Sequence, residues 1–449
     1  MADIRLTYYG DDFTGSTDVM EALEVNGVHC VLFLEPPTIE ELEQYPGIQA
    51  VGVAGVSRSM TPEEMQQELP PIWKRIHALN APLFHYKVCS TFDSSAETGS
   101  IGCAIEIGGN LWKRKVIPLV VGAPKLGRYV VFRNLFARSG FNGDVYRLDQ
   151  HPTMRHHPVT PMRKSDLRSI LADQGVMGFE EINILALDQG IQEVRRRIEA
   201  CDCPNTVLVF DTLTDAHLPT IGEALWEGAT HETPLFAVGS SGIEYALTAH
   251  WNTQQRPATS VSFRSAGEQQ VLVMSGSCSP VTERQIATAE QNGFVVIALD
   301  TLALLDEATR EQTLLSTIDE ALPPLLEGKS MVIHSCCGRE DVRLSATKLA
   351  IQGLERGALG KLQGRLLRQL LMRFPMRRVA VTGGDTSGYV AQELGILSLQ
   401  MVRPMSPGSP LCKMHSTYAE LDGVEILFKG GQVGRDDLFV AIGQGSVEK

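Results

Sequence analysis

Two successive aspartates, Asp11 and Asp12, head the segment GDDFTGSTD (10–18), directly after an apolar run and ahead of a helical stretch. Paired carboxylates at a strand end can act as a general base, a metal ligand or a partner for sugar hydroxyls; the plainer alternative is that they start a turn and cap a helix. Thr14, Ser16 or Thr17 is expected to cap that helix while both aspartates face outward. Arg58, in VSRSMTPEE (56–64), follows another apolar run, where a guanidinium could fork onto a carboxylate. Its other reading is a surface residue before a helix capped by Thr61. Lys87 lies in YKVCSTFDSS (86–95), with Ser90, Thr91 and Asp93 just beyond it. A lysine in an apolar strand costs desolvation unless it meets an anion. The stretch HPTMRHHPVTPM (151–162) gathers His151, Arg155, His156 and His157 between prolines. The spacing fits no standard zinc pattern, so a loop closing over an anionic ligand suits it better, with a solvated loop as the alternative.

The C-terminal half carries a different chemistry. SGSCSPVTERQ (275–285) runs from a strand into a helix with Pro280 early in that helix, so backbone N–H groups and the hydroxyls of Ser275 and Ser277 could approach a phosphate or a ribose. VAVTGGDTSGYVAQELG (379–395) is sharper. Gly383 and Gly384 permit close backbone approach, Thr386 and Ser387 offer hydroxyls, and a helix N-terminus favours an anion. FKGGQVG (428–434), with Gly430, is a further glycine-rich exit. No GxxxxGK[ST], protein-kinase signature, HExxH or strand-borne GxGxxG occurs, so the familiar nucleotide-binding and dehydrogenase patterns are absent.

These loops need a scaffold that presents strand ends. Short β-rich runs at 4–10, 28–34, 50–55, 84–88 and 206–212 alternate with amphipathic helical stretches, which implies parallel strands with crossover helices. A polar, aperiodic stretch at 252–270 reads as a linker between a domain of residues 1–251 and one of 271–449. Beyond it the alternation resumes at 270–277, 294–300, 330–336, 377–384, 398–402 and 425–431, with the longest helix expected from about Ser345 to Met372. The fold class expected is α/β: two domains, each with a mainly parallel sheet flanked by helices, and an active site in the cleft between them, since ligands of open parallel sheets bind beyond the carboxyl ends of the strands.

A chain of 449 residues can bury two or three cores, and its 43% apolar and 21% charged content is ordinary for a folded enzyme. A formal charge of −13 argues against nucleic-acid or anionic-membrane partners, yet allows a small anionic substrate in a local basic pocket. With no secretory signal and no apolar run of spanning length, a cytoplasmic protein is expected. Its nine cysteines form no CxxC pair and are expected to be incidental thiols.

In order along the whole chain, DDFTG (11–15), SR (57–58), YKVCST (86–91) with GSIG (99–102), HHPVTPM (156–162), SGSCS (275–279) and GGDTSG (383–388) resemble the motifs of the four-carbon acid-sugar kinases. The resemblance implies an N-terminal domain that binds the acid sugar, a C-terminal domain that binds ATP, and transfer to a terminal hydroxyl. Carried onto these positions, Ser275, Ser277, Gly383, Gly384, Asp385, Thr386, Gly408 and Gly430 would hold nucleotide, with Asp385 orienting Mg²⁺. Arg58, Lys87, Ser90, Thr91, Asp93 and His156 would face the sugar acid, with Arg58 and Lys87 gripping its carboxylate, and Asp12, then Asp11, would serve as base or hydroxyl orienter. The STFDS and HHPVTPM forms resemble the 3-oxo-tetronate branch. The family's GNIG reads GSIG here, with Ser100 in place of Asn and SAET lengthening the loop, so a branched relative such as 3-oxo-isoapionate is a second option. A homodimer is allowed for. The competing class is a non-catalytic sugar-acid sensor, which would need no nucleotide loops.

Overall fold

The computed structural model describes residues 3–140, 143–156, 160–254, 263, 267–338 and 340–445. It divides into two compact units, residues 1–261 and 262–449. Most of the 252–270 linker lies outside the described residues; its first three positions finish the helix Gly242–Gln254.

The first unit contains β1 (Leu6–Gly10), β2 (Cys30–Phe33), β3 (Ala50–Ala54), β4 (Leu83–Lys87), β5 (Val116–Val120), β6 (Arg128–Val131), β7 (Asn134–Arg138), β8 (Val145–Arg147), β9 (Phe179–Ile182), β10 (Thr206–Phe210) and β11 (Leu235–Gly239). Eight of these form a parallel sheet in the order β2-β3-β1-β4-β11-β5-β10-β9. From β1 the chain moves toward β2 and from β4 it moves the other way, so β1 and β4 flank a topological switch point, where parallel sheets bind ligands. Register sets Ala54, Gly10, Lys87 and Gly239 side by side at its carboxyl edge. Strand alternation sends Phe84 and Tyr86 to one face, where they pack with Tyr9, Trp73, Trp112 and Phe236. His85 and Lys87 project to the other face. There His85 Nδ1 lies 2.7 Å from the buried Glu244 carboxylate and its Nε2 donates to Gly239 O at 3.1 Å. A separate antiparallel sheet, β6-β7-β8, has no counterpart in the sequence reading.

The second unit comprises β12 (Val271–Ser275), β13 (Val295–Ala298), β14 (Met331–His334), β15 (Arg378–Thr382), β16 (Ile396–Ser406), β17 (Ser409–Ser416) and β18 (Glu425–Lys429), in the order β13-β14-β12-β15-β18-β17-β16. The first five are parallel, and β16 and β17 close the order as an antiparallel hairpin. The switch point falls between β12 and β15, the strands that feed the SGSCS and TGGDTSG loops. The single long helix expected at 345–372 is two, Arg343–Ala350 and Ala358–Arg373, because Gly353 and Gly357 turn the chain through left-handed backbone at φ 86° and 78°. Gly364 brings the second of these against the helix Gly384–Glu393; a Cβ there would lie 2.6 Å from Glu393 Cβ.

Candidate active site

In the first unit the two aspartates do not face outward. Asp12, rather than Thr14, Ser16 or Thr17, is the N-cap of the helix Phe13–Glu24: its carboxylate accepts from Gly15 N at 2.8 Å and from Thr14 Oγ1 at 2.8 Å. Asp11 is buried, its N–H bonded to Lys87 O at 2.9 Å. Arg58 spans both carboxylates through four hydrogen bonds, two to Asp11 at 2.7 and 3.1 Å and two to Asp12 at 2.9 and 3.0 Å. The segment bearing Arg58 is held by its own N–H on Asp11 O, by Ser57 Oγ on Tyr86 Oη at 2.9 Å, and by Gly99, whose N–H bonds Met60 O at 2.8 Å. The guanidinium expected to fork onto a substrate carboxylate is therefore already forked onto the protein's own.

Lys87 is buried at the end of β4, with Asp18 Oδ2 at 3.6 Å from its Nζ. Burial pushes the ammonium down, but Asp18, Asp11 and Asp12 outweigh it and hold it above the ordinary lysine range. Burial dominates at Asp11 and pushes its carboxyl up, whereas at Asp12 the opposing pull of Arg58, Lys87, Thr14 and Gly15 N–H holds the carboxyl down. Asp12 is thus the carboxylate kept ionised.

Around this core stand groups with unused valence. Asp18 Oδ1 and Asp93 Oδ1 are buried without a hydrogen-bond partner. Phe92, at φ 59°, is a buried left-handed residue that folds Ser90, Thr91 and Asp93 back over the strand end, Thr91 Oγ1 meeting Cys89 Sγ at 3.0 Å. Arg128, at the start of β6, donates Nη1 to Leu126, Gly127 and Arg138 carbonyls while its Nε is buried and unpartnered. Burial lowers its pKa, opposed by nearby Cys89, Asp93 and Asp18. Arg128 and Asp18 were not among the candidates in the sequence. His156 is exposed, and His157 to Val159 of the histidine loop lie outside the described residues. His151 is structural: its Nδ1 accepts from Thr153 and Met154 N–H at 3.2 Å each.

In the second unit three loops interlock. A Cβ on Gly276 would fall 2.1 Å from Thr386 Oγ1, and one on Gly431 2.5 Å from Ser277 Oγ, so the exits of β12, β15 and β18 touch through glycine. The helix Gly384–Glu393 begins at Gly383, at φ 122°, with no side-chain cap, and the space a Gly384 Cβ would enter is open. Uncapped N–H groups at a helix N-terminus favour an anion. Ser275 Oγ is buried without a partner on the same edge. Gly430 lies in the β18 exit, and Gly408, φ 79°, turns the β16–β17 hairpin. The pairing of Leu411 with Leu427 carries the hairpin turn to the carboxyl end of β18. These groups suit a polyphosphate. The Asp385 side chain lies outside the described residues, and among those described no group of three His, Cys, Asp or Glu is placed to hold a metal.

Buried charged groups at the β1–β4 switch point and a hydroxyl-rich, glycine-lined loop cluster at the β12–β15 one are chemistry of the kind a small-molecule phosphotransferase needs. The chain belongs to the four-carbon acid-sugar kinase family: residues 6–247 match the sugar-binding N-terminal domain and residues 272–439 the nucleotide-binding C-terminal domain. It is 41% identical to the 3-oxo-isoapionate kinase of Paraburkholderia graminis, over 99% of this chain and 95% of that one. It is 29% identical to the 3-oxo-tetronate kinase of Pectobacterium atrosepticum, over 97% and 98%. Among solved structures, a Salmonella typhimurium LT2 protein described as a candidate tRNA synthase superposes with TM-score 0.75 at 27% identity, covering 97% of this chain and 98% of that one. The chain is a sugar-acid kinase, which removes the non-catalytic sensor as an alternative.

Proposed function

We propose that this kinase transfers the γ-phosphate of ATP to the terminal hydroxyl of 3-oxo-isoapionate or a closely related 3-oxo-tetronate. The observation that carries the substrate reading is the 41% identity, nearly end to end, with a 3-oxo-isoapionate kinase. The lengthened SAET loop is consistent with it, because Gly99, directly after SAET, packs on the backbone of Arg58 beside the Asp11 and Asp12 carboxylates: a Cβ on Gly99 would lie 2.4 Å from Arg58 O.

Within the first unit, Arg58 with Asp11 forms a fixed platform, and Asp12 is the ionised group that orients the attacking hydroxyl. Asp12 must release Thr14 or one Arg58 contact to do so. Lys87 and Arg128 are the cations left to meet the substrate carboxylate, since Arg58 is occupied; Ser90, Thr91, Asp93 and Asp18 offer partners to hydroxyls, and His156 to the distal end. In the second unit Ser275, Ser277, Gly383 to Thr386, Gly408 and Gly430 hold the nucleotide. Mg²⁺ on the phosphates, oriented by Asp385, would neutralise charge developing in transfer. Transfer needs the hydroxyl and the γ-phosphate brought together with water excluded, which limits wasteful hydrolysis. An ATP-supplied, reducing compartment, the cytoplasm, suits such an enzyme with nine free thiols.

Release of ADP by the purified protein, with ATP and Mg²⁺, over a panel of four- and five-carbon acids tests the reading. The highest kcat/KM is expected with 3-oxo-isoapionate. ADP release no faster with any acid than without one overturns it, and a preference for an unbranched 3-oxo-tetronate moves the substrate to the other branch.

A further inference from the structure

Lys429 ends β18 wholly buried, and no motif accounts for it. Its Nζ donates to Thr282 Oγ1 and Thr382 Oγ1, each at 3.2 Å, and lies 5.9 Å from the centroid of the Phe439 ring. No carboxylate of the described residues pairs with it. A buried ammonium served by neutral groups alone is costly unless a charge arrives from outside the fold.

The surroundings say where that charge would come from. An ammonium only donates, so each hydroxyl that accepts from Nζ must point its own proton elsewhere. Thr282 sends its proton to Ser277 Oγ or Gly431 O, both at 3.0 Å, which leaves the Ser277 proton to turn outward. Thr382 Oγ1 lies 3.4 Å from Thr282 Oγ1. On the same edge Ser275 Oγ and Ser409 Oγ are buried with no partner, Ser275 registered beside Thr382, and Ser409 two residues along β17 from the pairing that aligns it with β18. Lys429 is thus the cation beneath a ring of hydroxyls on three interlocked loops.

We propose that Lys429 is a positioning residue for the nucleotide: by occupying the acceptor side of Thr282 and Thr382 it commits the Thr282 proton to the loops, leaves the Thr382 and Ser277 hydroxyls to donate outward, and carries the positive charge that the triphosphate neutralises. The proposal rests on the kinase reading and adds to it a residue and a coupling. Burial alone pushes the free amine down to about 7; the elements around Nζ, namely the helices Pro280–Gln291 and Leu438–Gln444 and strands β15 and β17, present hydroxyls and an aromatic ring, and no neighbouring charge offsets the burial. The bound phosphates favour the ammonium. ATP binding therefore takes up a proton above neutrality, and affinity falls as pH rises, by up to about tenfold per unit.

Isothermal titration of the full-length protein with ATP in excess Mg²⁺ at pH 7.5 and 9.0, where the phosphates of Mg²⁺-bound ATP are fully ionised, tests this in two buffers of different ionisation enthalpy. Wild type is expected to take up a fraction of a proton at pH 7.5 and to lose at least fivefold in affinity by pH 9.0. Lys429→Met is expected to bind at least tenfold more weakly at pH 7.5 with neither signature, and Lys429→Arg to restore binding without the pH dependence. Binding by Lys429→Met within twofold of wild type overturns the proposal. Should that variant not fold, wild type decides alone: no proton uptake and a flat Kd overturn it. Absence of ATP binding by wild type at both pH values is a separate result, which overturns the kinase reading itself.

Discussion

Lys87 and Lys429 occupy comparable stations in the two units. Each is the buried last residue of a parallel strand, Lys87 beside the β1–β4 switch point and Lys429 one strand beyond the β12–β15 one. Lys87 is ringed by Asp11, Asp12 and Asp18, which hold its ammonium above the ordinary range; Lys429 touches hydroxyls and sits near 7. One cation carries its counter-charge in the fold and the other waits for it. A site that discriminates among hydroxylated acids gains from fixed charges that accept as well as donate. A site for a polyphosphate gains from donors alone, because its ligand supplies all the negative charge.

The sharpest way to break this comparison is to remove each charge with an isosteric methionine. Lys87→Met strands three carboxylates with one arginine and is expected to cost about 3–5 kcal/mol of stability, as the loss of one partner from a buried ion pair does. Lys429→Met removes an unpaired buried cation and is expected to hold stability or raise it by about 1–2 kcal/mol near pH 6.5. The pH signs differ too. At Lys429 the folded pKa lies below the unfolded value, so the unfolded chain binds more protons between about 7 and the ordinary lysine range, and wild-type stability rises with pH across that window. At Lys87 the folded pKa is raised, so its contribution is present below the unfolded value and is lost as pH rises through the folded one. Thermal unfolding of both variants and wild type at pH 6.5 and 9.0 reads the two stability changes and the Lys429 slope, while the Lys87 contribution is expected to stay constant because both pH values lie below the ordinary lysine range. Equal losses in the two variants would erase the distinction.

Asp12→Asn comes next in size. The carboxylate is both N-cap and ionised centre of the sugar site, so kcat is expected to fall about 10²- to 10³-fold; asparagine caps as well as aspartate, and stability is expected to fall by about 1 kcal/mol because the charge-assisted Arg58 bonds are weakened. Steady-state kinetics with saturating ATP check it. A kcat within threefold of wild type would shift the base role to Asp18, whose Oδ1 is the open acceptor.

The same contrast explains what was legible in the sequence. Lys87 was noticed because a charge inside FHYKV conflicts with an apolar strand. Lys429 in EILFKGG carries the same conflict, but the two glycines after it drew attention to backbone freedom instead. Arg58 was correctly placed at a strand exit, yet its partners, 46 and 47 residues away, are set by the adjacency of β1 and β3, which no local pattern encodes. Arg128 was invisible for another reason. Its hairpin turns at Phe132 and Arg133, both at positive φ without glycine or asparagine, and the turn is held by Asp211, whose carboxylate accepts from both N–H groups at 2.7 and 3.0 Å. A strained turn held by a residue 79 positions away leaves no composition signal.

Gly384→Ala gives the smallest effect and refines the cradle. Gly384 is the first residue of its helix and its backbone is not left-handed, so alanine is expected to stabilise by about 0.4–1 kcal/mol through reduced freedom of the unfolded chain. Its Cβ would enter open space beside the uncapped start of the helix. If phosphate fills that space, the methyl displaces it, and KM for ATP is expected to rise severalfold while KM for the acid sugar and the thermal midpoint do not worsen. Stability and nucleotide affinity would then move in opposite directions for one methyl group, as for Lys429→Met and for the same reason: both positions are shaped for a ligand that the free fold does better without. A rise in stability with unchanged KM for ATP would place the phosphates elsewhere on the edge, nearer Ser275 and Ser409.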